Sequence, residues 1–182
     1  MESPCTAPLP RIGRRIALRR LRAGDLPEFQ AYRRDADTGR YQGWTPQTDA
    51  QSLAFLVQME SADLFVPGEW VQLGIAERAT DGLIGDVGIR IDPDGATAEI
   101  GFTLGPGSRG AGLGAEAVAE AMGLIFDCSC VARVIGITDA RNASSIRLLE
   151  RVGMRQVDTV RTEFRGEPCV ELVYALSRDA RG

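Results

Sequence analysis

The chain has 182 residues, a formal net charge of −4, and apolar (44%) and charged (25%) fractions that are typical of one globular domain. It contains no histidine, which excludes imidazole as a base, as a member of a hydrolytic triad and as a metal ligand. The acidic balance argues against a general nucleic-acid binder. Because no apolar run is long enough for a membrane span and the first ten residues lack a signal-peptide core, we expect a cytoplasmic protein with no membrane contact.

Four cysteines are present, at Cys5, Cys128, Cys130 and Cys169. The pair Cys128-x-Cys130 has no second pair at metal-ligand spacing, so the pattern predicts no zinc or other metal. Small buried thiols are the simpler interpretation. A nucleophilic cysteine stays open as an alternative, although the sequence shows no partner base for it.

The N-terminal region begins with a proline-containing stretch and continues into a basic strand. Residues 1–10 predict a flexible tail, which leaves 11–182 as a single domain. Ile16 to Leu21 alternates apolar residues with arginine and predicts a first strand at the edge of a sheet, with its arginines pointing to solvent. The alternative is that these arginines contact RNA or a cofactor phosphate. The basic residues of this region are Arg11, Arg14, Arg15, Arg19, Arg20 and Arg22.

Two capping-box patterns predict the starts of two helices, one from Asp25 to Glu28 and one from Thr48 to Gln51. The loop between the two helices carries the large aromatic residues Tyr41 and Trp44. This loop is either a lid packed on the core or one wall of a substrate cleft.

Three consecutive strands follow, at Trp70–Arg78, Leu83–Ile91 and Thr97–Leu104. Short turns join them, one of which contains Asp81-Gly82, so they predict an antiparallel meander. After the third strand, a glycine-rich turn leads into a long apolar helix.

Three glycines at the start of this helix, Gly110, Gly112 and Gly114, remove Cβ atoms where the backbone turns. The free N–H groups of the first turn and the helix dipole favour an anion, for which a phosphate is the best candidate. The absence of lysine excludes a P-loop. A dinucleotide fingerprint fits the glycine spacing, but Asp139 lies too far along the chain for its acidic residue. The alternative is that the glycines only permit tight packing.

The C-terminal part begins with an apolar strand, Val131 to Thr138, and the order strand, helix, strand implies parallel neighbours. A helix that starts at Asn142 and ends at Gly153 comes next. The last two predicted strands are Met154–Phe164 and Cys169–Leu176.

From about Leu18 to Leu176, the element order and two motifs resemble the GNAT acyltransferase superfamily. The similar subgroup is that of the bacterial ribosomal-protein N-terminal acetyltransferases, the RimJ/RimL type. The segment from Arg109 to Gly114 matches the family's Q/R-x-x-G-x-G/A loop, and Asn142 to Met154 resembles its N-x-x-S…GF segment. The resemblance implies an α+β fold, with a mixed, mostly antiparallel sheet of six to seven strands, a splayed parallel pair and about four flanking helices.

The same resemblance implies acetyl-CoA as cosubstrate, held between the splayed strands. The backbone of Phe102, Thr103 and Leu104 would pair with the pantetheine arm, and the Leu104 N–H would polarise the acetyl carbonyl. Asn142 would bind the pantetheine amides. The pyrophosphate would be held by backbone N–H groups of the loop Arg109, Gly110, Ala111, Gly112, Leu113 and Gly114.

Amine acetylation without histidine needs a carboxylate, or a water that a carboxylate orders, as base. Glu163 stands where the resembling subgroup has a glutamate considered to be the base, and Glu99 at the start of the central strand is the second candidate. Many GNAT enzymes carry a thiolate-protonating tyrosine at the position of Leu149. Ser145, which matches the subgroup's serine, is therefore the expected substitute, and Tyr174 is a spare donor.

The sequence thus predicts an N-acetyltransferase that moves an acetyl group from acetyl-CoA to a primary amine by direct transfer. The acceptor is either a protein N-terminus or a small-molecule amine, and a homodimer stays open. Alternatives are a catalytically silent acyl-CoA-binding module, a ping-pong enzyme acylated on Cys128, Cys130 or Cys169, and, more distantly, a nicotinamide enzyme.

Overall fold

The structure, a computed structural model, describes residues 9–180. Most of the predicted N-terminal tail, including Cys5, lies outside the described residues. Eight strands form one sheet in the order β1-β2-β3-β4-β5-β6-β8-β7. The strands are β1 Arg11–Ile12, β2 Ile16–Arg20, β3 Trp70–Glu77, β4 Leu83–Ile91, β5 Thr97–Leu104, β6 Arg133–Asp139, β7 Arg155–Phe164 and β8 Glu167–Ser177.

Five α-helices accompany the sheet in the described part of the chain. They are α1 Leu26–Arg33, α2 Ala36–Gly39, α3 Asp49–Ser61, α4 Leu113–Cys128 and α5 Ala143–Arg151. The mixed fold with one parallel strand pair is confirmed. The sheet has one more strand than the upper expectation, because the two-residue β1 pairs with β2. The extra helix is the four-residue α2, which is too short to give a periodic pattern in the sequence.

The two faces of the sheet are covered by different helices. The face that packs on α4 and α5, called the α4 face, presents Ile100, Val134 and Tyr174 to the main hydrophobic core. The opposite face, called the α1 face, is covered at its β4 end by α1, and α1 packs with α3 in a second cluster around Phe29. Because strand side chains alternate, Glu99, Ile137 and Glu171 belong to the α1 face.

Strands β5 and β6 are the parallel pair, and they separate before they end. Their pairing runs from Thr97 opposite Arg133 to Ile100 opposite Gly136 and then stops. Beyond that point β5 still pairs with β4 as far as Leu104, and β6 still pairs with β8 as far as Asp139. The sheet therefore opens into a V between these strands.

The arginines of β2 do not all face solvent, which corrects the prediction of an outward-pointing edge strand. Arg19 is only 4% exposed, and its guanidinium pairs with Asp25 at 2.8 Å and with Asp81 at 2.9 Å. Strand β2 is also not the edge, because β1 lies outside it.

The predicted capping box at Asp25 is wrong for α1, because the Asp25 carboxylate accepts hydrogen bonds from Arg19 and from the N–H of Arg22 instead. The predicted box at Thr48 is confirmed. The Thr48 hydroxyl accepts from the N–H of Gln51, and the Gln51 side chain accepts from the N–H of Thr48.

Within residues 9–180, none of the helices combines the length and the apolar character that a bilayer crossing requires.

Candidate active site

The glycine loop before α4 is open towards a cleft on the α4 face. Gly110 and Gly112 have φ angles of 80° and 78°, a left-handed conformation that favours glycine. A Cβ at Gly110 would meet no atom within 4 Å, so a ligand can approach the backbone there. The N–H of Glu116 bonds to the Gly112 carbonyl at 3.2 Å, and the N–H groups of the first turn before it point towards the loop. These groups can hold an anion.

Gly114 has a different role from Gly110. A Cβ on Gly114 would lie 2.7 Å from Leu104 Cδ1 and 2.8 Å from Leu148 Cδ1. Glycine here lets α4, β5 and α5 meet at one point. The alternative interpretation, that glycine permits tight packing, therefore applies at Gly114, whereas the anion-binding prediction concerns Gly110 and Gly112.

The side chain of Arg109 ties the loop to its neighbours. Its Nε donates to the Leu104 carbonyl at 3.1 Å, and its Nη2 donates to the hydroxyl of Thr38 in α2. The guanidinium is thus engaged with protein groups, and the loop's capacity for phosphate lies in its backbone.

The loop after α2 reaches into the V. Gln42 Nε2 donates to the carbonyl oxygen of Phe102 at 3.1 Å, on the part of β5 that no longer pairs with β6. An amide N–H therefore already satisfies one carbonyl of this strand edge. Since Arg109 Nε likewise donates to the Leu104 carbonyl, a pantetheine arm along Phe102, Thr103 and Leu104 would use the remaining backbone groups of this edge or replace these two donors.

Helix α5 forms the other wall of the cleft. Asn142 is its N-cap, and Asn142 Oδ1 accepts from the N–H of Ser145 at 3.2 Å. Leu149 is buried and packs on Gly136, where a Cβ would lie 2.8 Å from Leu149 Cδ2. Tyr174 is also buried, and its hydroxyl lies 3.4 Å from Glu150, away from the residues that line the cleft.

Two adjoining cavities occupy this region. The larger one, of about 640 Å³, lies between the glycine loop, the end of β5 and α5. The smaller one, of about 120 Å³, lies in the V and reaches Ile137 and Glu171 on the α1 face. Because they share lining residues, the two cavities together extend from one face of the sheet to the other, and this region is called the passage. The residues that line both are Tyr41, Gln42, Phe102, Asn142 and Ser145.

Neither of the two carboxylates singled out from the sequence lines either cavity. Glu163 is exposed on β7, opposite Pro168, although the adjacent Phe164 lines the smaller cavity. Glu99 is half-buried on the α1 face of β5. Burial raises the pKa of Glu99, Asp92 and Glu171 raise it further, and Arg90 opposes them.

Cysteine chemistry finds little support in the site. Cys169 is buried and lines the smaller cavity, but burial raises the pKa of its thiol, as do the charges of Glu171 and Asp139. The thiol is therefore neutral near pH 7, which disfavours it as a nucleophile. Cys130 is exposed and lies outside the two cavities, and Cys128 is not a free thiol.

The sequence analysis missed several charged residues that line these cavities. Arg147 and Arg151 stand four residues apart on α5 and line the larger cavity, and a spacing of four places side chains on one helix face. Arg15, one of the basic residues for which the sequence leaves contact with a cofactor phosphate open, borders the glycine loop, since its Nη2 would lie 3.5 Å from a Cβ at Gly112. Glu171 lines the smaller cavity, but in the sequence it appears only as one acidic residue in a terminal strand.

A glycine-led helix N-terminus beside two separating parallel strands is the kind of cleft in which acyltransferases hold a coenzyme A thioester. The sequence profile of the acetyltransferase (GNAT) domain matches residues 15–155, and the chain belongs to this family. It is accordingly an acyltransferase that uses acetyl-CoA as donor. No curated protein matches the chain by sequence.

Solved structures with the same fold have low sequence identity. A GNAT-family acetyltransferase from Bacillus anthracis superposes with a TM-score of 0.82 at 20% identity, covering 92% of this chain and 98% of that one. The microcin C7 self-immunity acetyltransferase MccE, in complex with acetyl-CoA and AMP, gives 0.78 at 18% identity, covering 90% and 93%. RimL, the ribosomal L7/L12 alpha-N-protein acetyltransferase, in complex with coenzyme A, gives 0.77 at 14% identity, covering 94% and 98%.

Proposed function

We propose that this protein is an N-acetyltransferase of the RimJ/RimL type, which transfers the acetyl group directly to a primary amine. The amine belongs to a protein N-terminus or to a small molecule. The observation that carries the proposal is the pair of adjoining cavities that extends from one face of the sheet to the other, with the glycine loop at one end and carboxylates at the other. A donor and an acceptor entering from opposite faces can meet in such a passage without a covalent enzyme intermediate.

The donor end fits a coenzyme A thioester. The backbone from Arg109 to Gly114 would hold the pyrophosphate, because Gly110 leaves room for it and the first N–H groups of α4 point there. Arg147 and Arg151 add positive charge beside it. The open edge from Phe102 to Leu104, with Asn142 opposite, would hold the pantetheine arm.

In the reaction, the amine nitrogen forms a bond to the acetyl carbon, and the carbon–sulfur bond breaks. The nitrogen loses a proton to solvent or to a base, and the departing sulfur gains a proton. The Leu104 N–H would stabilise the negative charge that develops on the carbonyl oxygen. The Ser145 hydroxyl would supply the proton to the sulfur. Glu163, on the hairpin that borders the smaller cavity, and Glu99, with its raised pKa, are the proposed bases.

Binding of coenzyme A tests the donor site. Gly112→Glu adds bulk, a charge and a side chain at a φ of 78°, so we expect the Kd for coenzyme A, measured by titration calorimetry, to rise at least ~100-fold. Gly24→Glu is the matched control, because a Cβ at Gly24 meets nothing within 4 Å. If Gly112→Glu bound coenzyme A as tightly as the control, the loop would not be the phosphate site.

Turnover separates the enzyme from a silent binding module. Thiol release from acetyl-CoA is followed with a panel of primary amines, and we expect saturable, amine-dependent release. Coenzyme A binding without release on any amine would contradict the proposed transfer while leaving the donor site intact.

A further inference from the structure

The smaller cavity has two charged residues in its lining, Asp139 and Glu171, and both are acidic. They stand opposite each other on the neighbouring strands β6 and β8. Arg141 neutralises Asp139 through two hydrogen bonds, from Nε to Oδ1 at 2.9 Å and from Nη2 to Oδ2 at 2.7 Å. These contacts lower the pKa of Asp139 and keep its carboxylate occupied.

Glu171 has no such partner. Among residues 9–180, no side chain forms an ion pair with the Glu171 carboxylate, and no donor is within hydrogen-bond distance of it. It is nevertheless half-buried, at the end of a passage that leads to the predicted acetyl site. A partly dehydrated carboxylate in a cavity gains from a cationic ligand.

The negative charge of Glu171 also acts on neighbouring groups. Burial is the largest cause of the raised pKa values of Cys169 and Glu99, and the charge of Glu171 raises both further. Among the described residues, the lining contains no arginine, and Arg141 beside it is engaged with Asp139. The end of the passage on the α1 face is therefore electronegative.

An aliphatic amine reaches the protein as an ammonium ion at neutral pH, since its pKa is well above 7. It must come close to the thioester from the side that the donor does not occupy. The cavity of about 120 Å³ admits the end of a chain rather than a whole molecule. A carboxylate on the α1 face can hold such an end by charge-assisted hydrogen bonds before the nitrogen loses its proton.

We infer that Glu171 binds the ammonium group of the acceptor, and that the acceptor is an aliphatic primary amine that enters from the α1 face. The inference rests on the proposed function, since it assigns the second substrate's subsite within the same passage. A peptide N-terminus and a small alkyl amine share this ammonium chemistry, so the experiment includes both.

The test uses the full chain at saturating acetyl-CoA with three acceptors, which are a peptide with a free N-terminal serine, 1,4-diaminobutane, and aniline, which is neutral at pH 7.5. For whichever ammonium acceptor is used, we expect Glu171→Gln to raise KM about 10- to 100-fold, the range that a lost charged hydrogen bond gives. The KM for aniline should change less than about twofold, since no charge is matched. The relative activity on the peptide and the diamine identifies which source the site prefers.

Three controls keep the outcome interpretable. Glu167→Gln removes an exposed carboxylate of the same strand, outside both cavities, and should leave every KM unchanged. Glu171→Asp should retain part of the preference for ammonium acceptors, which a merely structural role would not produce. Calorimetric affinity for coenzyme A should be equal in all variants.

An equal change of KM for aniline and for the ammonium acceptors would overturn the inference. So would a protein that binds coenzyme A and acetylates only aniline. Coenzyme A binding with no acetylation of any of the three would contradict the proposed transfer. Failure to bind coenzyme A at all would instead contradict the proposed function.

Discussion

At the scale of single residues, the protonation of Glu99 follows from where the strand places it. The side chain is half-buried on the α1 face, and burial is the largest cause of its raised pKa. A carboxyl group whose pKa is higher in the folded state destabilises the fold when it ionises. The resulting loss of stability is absent at pH values below the pKa of the carboxyl group in the unfolded state. It is complete at pH values above its pKa in the folded state.

We therefore expect Glu99→Gln to raise the melting temperature near pH 7.5 and to leave it almost unchanged near pH 3, where Glu99 is mostly protonated in both states. Thermal unfolding across this pH range measures the difference. Glu69→Gln, which changes an exposed carboxylate, is the control and should show no such trend. A gain that is the same at both pH values would show that ionisation of Glu99 does not affect stability.

At the scale of elements, the close packing of α4, β5 and α5 depends on Gly114, which has no side chain. Gly114→Ala places a Cβ under 3.0 Å from both Leu104 and Leu148. Overpacking costs ~1–3 kcal/mol, and the gain in helix propensity offsets up to ~1 kcal/mol of it. We expect a net loss of about 1 kcal/mol in denaturant unfolding, together with weaker coenzyme A binding because the Leu104 and Leu148 side chains, which border the larger cavity, must move.

The comparison for this substitution is Gly107→Ala, in the same loop, where a Cβ meets nothing within 4 Å. It should leave both stability and affinity near those of the wild type. Equal behaviour of the two variants would mean that the close approach at Gly114 is not required.

A second element-scale contact joins the β7–β8 hairpin to the loop after α2. Arg165 Nη2 donates to the carbonyl oxygens of Gly39, Gln42 and Trp44, at 3.0 to 3.2 Å. Arg165 has a φ of 53°, a left-handed conformation at the turn that Gly166 completes. The hairpin thus holds the loop that carries Tyr41 and Gln42 into both cavities.

Arg165→Asn keeps a residue that tolerates the left-handed turn but removes Nη2, the donor of all three hydrogen bonds. We expect faster amide hydrogen exchange over residues 39–44 and a raised KM for the acceptor, with global stability within ~1 kcal/mol of the wild type because the contact is exposed. Mass-spectrometric hydrogen exchange gives the first readout. Arg161→Asn, on the exposed part of β7, should change neither quantity, and unchanged exchange in Arg165→Asn would exclude the contact as a restraint.

At the scale of the whole molecule, a buried polar network connects α1 to the sheet beneath it. Asp86 of β4 is fully buried and accepts hydrogen bonds from Tyr32 at 2.5 Å, Arg33 at 2.8 Å and Gln72 at 2.6 Å. Burial raises the pKa of Tyr32 well above its ordinary value, and Asp86 adds to the effect. The Arg33 guanidinium also stacks on Trp44, 4.4 Å from its ring centre, so the network reaches the loop of the site.

Arg33, the last residue of α1, and Arg34, its C-cap, offer a matched comparison of buried and exposed ion pairs. Arg33→Ala leaves the Asp86 charge buried with two neutral donors, and we expect a loss of ~3 kcal/mol in the free energy of unfolding. Arg34→Ala breaks an exposed pair with Asp49 and should cost at most ~1 kcal/mol. Urea unfolding of both variants gives the comparison, and equal losses would show that Asp86 does not depend on Arg33.

Local sequence patterns were enough for the element order, the antiparallel meander, the parallel pair and the glycine-led helix. Alternation, capping residues and glycine spacing act within a few residues, and they therefore predict strands, helix starts and loops directly. The resemblance carried by Arg109–Gly114 and Asn142–Met154 extended this to the family, which the domain match confirms. The roles given to Glu163, Glu99 and Ser145 remain predictions.

Only the tertiary structure decided which charged side chains share a cavity. Arg19 became buried because Asp25 and Asp81 meet it from other segments, and Glu171 faces the passage because β8 inserts between β6 and β7. These partners lie far apart along the chain, so the short stretch of sequence around one residue does not contain the other. The sequence determined the elements and the glycine-rich loop before α4, whereas the separation of β5 and β6 and the negative charge of the smaller cavity depend on strand order and register, because these bring distant residues together.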